Sequence, residues 1–253
     1  MINPISNVNY NYIPNIKNPN QAQTNTVAAE TPVFYADPSQ AIKSELSVNS
    51  PISYTAIRDL NIPYSNPAKL YKLANGQKVI ILPKQGPTVV KSYFNVGSMN
   101  EKEAEKGIFH FIEHMKFNGS KNLEAGEFFN TVNKMGASTN ASTGMSTTDY
   151  YVESQMLGEN DLEKTIKIHA DMLQYPNHTP EMVEKEKGPV TSEISMVSDE
   201  PVNLAMNSCL KNLFQIKTNS PDLIAGTIGT INNLSSDTVK TYDETWYLSL
   251  IHI

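Results

Sequence analysis

The sequence predicts an α+β domain in which helices pack on a mainly antiparallel β-sheet, and three observations predict it. An Asn75-Gly76 pair separates two alternating runs in KLYKLANGQKVIILPK, the strongest short-range hairpin signal a sequence offers. Two further strand-like runs, 137–143 and 147–155, are joined by a short Gly-Met-Ser connection that suggests antiparallel pairing. Helical blocks with apolar periodicity follow each strand group, the pattern of helices laid on a sheet.

In chain order, residues 1–60 are rich in Asn, Pro, Ser, Thr and Gln, with eight asparagines in the first thirty positions, and read as a disordered polar arm. Globular structure is expected over 61–247, its composition changing at Pro67. After the hairpin a strand over 88–96 ends at Gly97-Ser98, and a polar segment leads to a helix over 107–117. A helix over 125–135 stops at Gly136, where a left-handed residue is wanted. Helices are expected at 159–173 and 180–197. Gly188-Pro189 should kink the second or mark its true start. SDEP at 198–201 ends it before another helix over 202–214, and a last amphipathic helix covers 236–246.

Composition narrows the function. Acidic residues exceed basic ones by 26 to 20, a net charge of −6, so a phosphate-tracking surface and a nucleic-acid partner are not expected. The single cysteine, Cys209, can build neither an internal disulfide nor a Cys-type zinc site, so a metal must be held by His and carboxylates. No run approaches the roughly 18 to 20 apolar residues that span a bilayer. The N-terminus shows no secretory h-region, which leaves the cytoplasm as the default location.

The chemistry is in GIFHFIEHMKF, where His110, Glu113 and His114 form H-x-x-E-H on the expected helix. The histidines are i and i+4, so both imidazoles can reach one metal ion. Glu113 projects from nearly the same face, within reach of a metal-held water without being a ligand. Two helical histidines can also be ordinary core residues. Here they sit among Ile108, Phe109, Phe111, Ile112 and Met115, which would bury a polar cluster that needs compensation. H-x-x-E-H is the inverted zincin signature, and a tetrahedral catalytic zinc needs a third protein ligand from elsewhere.

Over most of 67–247 the chain resembles the pitrilysin and insulinase family of zinc metallopeptidases, which includes the mitochondrial processing peptidase subunits. The resemblance rests on FNVGSMNEKEAEKGIFHFIEHMKFNGS, then the N-A-x-T and tyrosine strands of GASTNASTGMSTTDYYVES, then VEKEKGPVTSEISMVSDEP, in that order. It implies one Zn2+ held by His110, His114 and Glu193, with Glu113 as general base and Glu186 in a supporting role beside a ligand. Spacing agrees with that choice: Glu186 and Glu193 are two helical turns apart on one face, whereas Glu184 and Glu193 point about 180° from each other. The alternative for these acids is a solvated helix face. The resemblance also makes Asn140 and Ala141 part of an edge strand that takes up an extended peptide by backbone pairing, against the reading of a plain structural edge.

The chain departs from the family where many members have His-Pro-Tyr after the ligand helix; here the segment reads FQIKTNSPDLIAGTIGTINNLS. The family pairs such a domain with a second of similar fold around a chamber, so a second homologous half or subunit is the expected partner, and it supplies Arg and Tyr to the scissile region. The only arginine here is Arg58. The last six residues, LSLIHI, are what the transposon adaptor CTGTCTCTTATACACATC encodes, and 248–253 are expected to be non-native. The reading is therefore a zinc endopeptidase domain acting on peptides or unfolded segments. The competing readings are a non-catalytic partner subunit that binds peptides and a purely structural domain without metal.

Overall fold

The Asn75-Gly76 signal closes a hairpin in the computed structural model, which describes residues 24–27, 52–62, 67–155, 161–214 and 224–247. Strands β1 (Thr24–Val27), β2 (Ile52–Leu60), β3 (Ala68–Leu73) and β4 (Lys78–Ile81) form one sheet in the order β1-β2-β3-β4, every pair antiparallel. At the turn, Gly76 N–H donates to Leu73 O at 2.9 Å and Gly76 takes φ 89°.

Strand β2 corrects the polar arm expected over 1–60, because Ile52–Leu60 is paired along β3. The alternation of Ile52, Tyr54 and Ala56 loses phase at a bulge between Ala56 and Arg58, which hides the strand from a period-two reading. Residues 1–23 and 28–51 of that arm lie outside the described residues, as does the 248–253 tail.

A second antiparallel sheet is built from β5 (Thr88–Phe94), β6 (Ser138–Thr143) and β7 (Thr148–Ser154) in the order β5-β7-β6, so β7 is central and β6 forms an edge. Burial alternates strictly along β7, with Thr148, Tyr150, Val152 and Ser154 on the covered face. The helices are α1 (Ile108–Lys116), α2 (Glu127–Lys134), α3 (Asp161–Gln174), α4 (Pro180–Ser198), α5 (Pro201–Phe214), α6 (Ile228–Asn232) and α7 (Ser236–Trp246). Short α6 is absent from the sequence reading, although Thr227 and Thr230 cap it reciprocally. The start expected for α3 at 159 falls outside the described residues. Among those residues no helix is long and apolar enough to cross a membrane.

The core lies between β5 and β7 and the helices. Phe94, Tyr150 and Val152 from the sheet meet Phe109, Ile112 and Met115 of α1, Val190 and Ile194 of α4, and Val239 and Tyr242 of α7. Helix α4 is capped by Thr179, whose side chain accepts from Met182 N, and runs from Pro180 through Pro189 to Ser198; Gly188-Pro189 does not mark its start.

Helix α1 begins where two glycines touch. Gly107 has φ 90°, and a Cβ there would lie 2.3 Å from Ala225 O; Gly226 faces it with φ 76°. The buried Glu101 carboxylate then accepts from Gly107 N at 2.9 Å and Phe109 N at 3.1 Å, satisfying donors that the helix start leaves free. Gly107→Ala should lower stability by about 2 to 4 kcal/mol, from the left-handed backbone and the clash together. Chemical denaturation checks it, and an unchanged midpoint would contradict this packing.

Candidate metal centre

Helix α1 carries His110 and His114 one turn apart, with ring centroids separated by 4.7 Å. Helix α4 packs against α1 and brings Glu193 across both rings. His110 Nε2 lies 3.5 Å from Glu193 Oε1, and His114 Nε2 lies 3.2 Å from Glu193 Oε2. These lengths suit a zinc ion. Four donors at about 2.05 Å around a tetrahedral ion are about 3.3 Å from one another, and the three residues each offer an atom within 4.8 Å of the others. The donor chemistry fits as well: two imidazoles and one carboxylate, without thiolate. Side-chain exposure rises from 11% at His110 to 24% at His114 and 38% at Glu193, so the cluster opens toward solvent on the α4 side.

The neighbours of the cluster orient it. Glu186 Oε1 lies 3.0 Å from His114 Nδ1, and Asn118 Nδ2 donates to Glu186 Oε2. A carboxylate on Nδ1 keeps the proton there and turns the Nε2 lone pair toward a metal. Burial raises the Glu186 pKa, but His114 and Asn118 outweigh it and the net shift is downward. Hydrogen bonds with His110 and His114 hold the Glu193 carboxyl well below the usual range, against the effect of burial. Of the other acids on α4, Glu184 pairs with Lys187 at the surface.

Glu113 is buried beside the histidines, and Thr143 of β6 donates to its Oε2. Burial pushes its pKa up, opposed by the Thr143 hydrogen bond and the two imidazoles. Asn140 and Ala141 lie on β6, the edge strand. Asn140 points to the exposed face, Ala141 toward the core, and Asn140 Oδ1 accepts the Ala141 N–H at 2.9 Å. The sequence reading gave no role to Thr143, Asn118 or Glu101. Thr143 closes the N-A-x-T block and shares the inward face of β6 with Thr139 and Ala141, which is the signal that could have found it. His169 and His178 lie elsewhere, bonded to Ser92 Oγ and Asp243.

A family profile described as "Insulinase (Peptidase family M16)" matches residues 84–226. The uncharacterized zinc protease YmfH of Bacillus subtilis strain 168 is 32% identical over 188 residues, 70% of this chain and 42% of that one. The crystal structure of a protease from Helicobacter pylori superposes with a TM-score of 0.63 at 27% identity, covering 73% of this chain and 44% of that one. The first half of the periplasmic protease PqqL from Escherichia coli gives a TM-score of 0.63 at 22% identity over 74% of this chain and 42% of that one, a likeness of fold alone. The chain thus spans less than half the length of each.

In the metal-free chain burial disfavours a charged His114, but Glu186 and Glu193 outweigh it and raise its pKa to about 9. Near pH 7.5 this imidazole is therefore protonated, and a metal taking Nε2 must displace that proton. Zinc titration there should release about one proton from His114, read by calorimetry in buffers of different ionisation enthalpy. A binding enthalpy independent of the buffer would contradict it.

Proposed function

The chain belongs to the insulinase family, peptidase family M16, and from that membership and the geometry of the α1–α4 cluster we propose that it is the metal-bearing part of a zinc-dependent endopeptidase. The observation that carries the proposal is the approach of His110 Nε2 and His114 Nε2 to one carboxylate, Glu193, with a second buried carboxylate, Glu113, beside them. The metallopeptidase domain expected over 61–247 is part of the same proposal, extended back to include β2.

In this reading His110, His114 and Glu193 hold one zinc ion. When bound, zinc polarises the substrate carbonyl and makes water acidic enough to lose a proton near neutral pH. Glu113 takes the proton from the attacking water and returns it to the leaving amine, acting as base and then acid. Its Oε2 is occupied by the Thr143 hydroxyl, which fixes the carboxylate plane and leaves Oε1 for the proton. The raised pKa of Glu113 brings it closer to that of the group it serves. Glu186 keeps the His114 ring turned, and Asn118 keeps Glu186 in place.

The substrate class is peptides or unfolded segments, which would add along β6 as a further antiparallel strand. Main-chain pairing tolerates many side chains and presents a scissile carbonyl in a fixed extended register. The Asn140 side chain would exchange its bond to Ala141 N–H on peptide binding. A second homologous half or subunit completes the proposal, closing the site and positioning the substrate.

Two kinds of substitution separate binding from chemistry. Glu193→Ala should strip zinc from the purified chain, as should His110→Ala or His114→Ala, by metal analysis. Glu113→Gln in the active assembly should keep its zinc and lose hydrolysis by about 10² to 10⁴. Zinc retained in Glu193→Ala, or wild-type turnover in Glu113→Gln, would sink the assignment. A wild-type assembly that holds zinc and cuts no peptide would favour the partner-subunit reading.

A further inference from the structure

Lys116 ends α1 two residues beyond His114, and its side chain has 0% exposure. A buried ammonium must find directional partners, and this one has three. It pairs with Asp243 of α7, donates to Leu173 O near the end of α3 at 2.9 Å, and sits 4.9 Å from the centre of the Tyr247 ring. Asp243, itself 3% exposed, turns its other oxygen to His178 Nε2 at 2.9 Å. The His178 side chain is 5% exposed and lies just before the Thr179 cap of α4; its carbonyl accepts from Ser236 Oγ at 2.6 Å, at the start of α7. One buried chain of polar contacts therefore runs from the end of α1 through α7 to the beginning of α4.

Those two helices carry the ligands of the metal centre, two on α1 and the third on α4. We infer that Lys116, Asp243 and His178 form a positioning clamp that sets how α1 lies against α4, and through it the coordination geometry. The inference rests on the metal-centre reading above. Its physical basis is directionality. A Met at 116 would fill the same volume and could be as stable, since a buried ion pair is no better than good apolar packing for stability. An apolar contact has no preferred direction, whereas the ammonium fixes the end of α1 against a carboxylate, a carbonyl and an aromatic face. The donors it governs are separated by 3.2 and 3.5 Å, so a small shift of α1 along α4 spoils their convergence.

The test uses the chain in three forms: wild type, Lys116→Met/Asp243→Asn, and His178→Gln. Zinc affinity is read by competition with a chromophoric chelator, geometry by the visible absorption of added Co2+, and folding by circular dichroism and melting in EDTA. The double variant leaves no unpaired buried charge between positions 116 and 243. It should fold, bind zinc about tenfold or more weakly, and show an altered Co2+ spectrum. His178→Gln keeps a donor toward Asp243 on a flexible side chain in place of the ring and should move both readouts the same way by a smaller factor. If the double variant does not fold, His178→Gln alone decides. A folded variant with wild-type zinc affinity and an unchanged Co2+ spectrum would overturn the clamp, even if its melting temperature fell. Failure of wild type to bind either metal would overturn the metal-centre reading and the clamp with it, a result distinguishable from the first.

Discussion

The burial of α1 is the constraint from which the rest of the molecule follows. Eight of its nine residues are buried, among them His110, Glu113 and Lys116. A helix immersed in this way cannot leave a polar group to water, so each one must be met by another element. Glu101 meets the free donors at its start, Thr143 of β6 meets Glu113, α4 meets the histidines with Glu186 and Glu193, and Asp243 of α7 meets Lys116. The tertiary arrangement around α1 meets those groups, although His110 Nδ1 stays buried without a hydrogen-bond partner, and the candidate site is where two of its histidines and two acids on α4 come together.

Helix α4 supplies its two acids across a proline. Pro189 removes the N–H that would bond Lys185 O and crowds that carbonyl, an arrangement that usually kinks or ends a helix. The next turn holds itself by side chains: Thr191 Oγ1 donates to Lys187 O at 2.7 Å and Ser192 Oγ to Gly188 O at 2.9 Å. Lys187 also reaches Asn232 O at 3.0 Å, tying the helix at this point to the end of α6. The helix passes through Pro189, so Glu186 and Glu193 keep the two-turn separation that lets one contact the Nδ1 and the other the Nε2 of the same His114 ring.

The sequence made local features legible and missed those that depend on distance along the chain. H-x-x-E-H and the boundaries of α7 are short-range patterns that a period of 3.6 reads, whereas Glu186 and Glu193 stand out from the other acids of their helix only through the family resemblance, with which their two-turn spacing agrees. Strand β2 was lost because a bulge at Ala56 and Arg58 breaks its alternation, and an alternation-based reading has no account of an extra residue. Thr143 and Glu113 are 30 positions apart, and Asn118 and Glu186 are 68 apart. No periodicity joins such pairs; only the packing of β6 and α4 against α1 does. Lys116 shows the same limit from the other side. On a helical wheel it is an ordinary lysine near a helix end, and only burial against α7 turns it into half of an ion pair.

Strand β6 has two faces and an edge, and each has a different partner. Its inward face carries Thr143 to the Glu113 carboxylate and Ala141 to the core; its outward face carries Asn140 and Ser142. One edge is paired to β7, and the other pairs with no strand among the described residues. Because alternate residues of a strand point to opposite faces, backbone pairing at the open edge leaves Thr143 turned to the base. In the proposed reaction, therefore, the element that receives the peptide also fixes the oxygen geometry of the group that activates water. Slack in β6 would then act on both steps together, loosening the peptide register and freeing the Glu113 carboxylate to rotate. Pairing to the central β7, buried on alternate residues from Thr148 to Ser154, limits that slack from the paired side. On the other side a bound peptide would add to that restraint, reinforcing the ordering of Glu113 that the Thr143 hydrogen bond already provides.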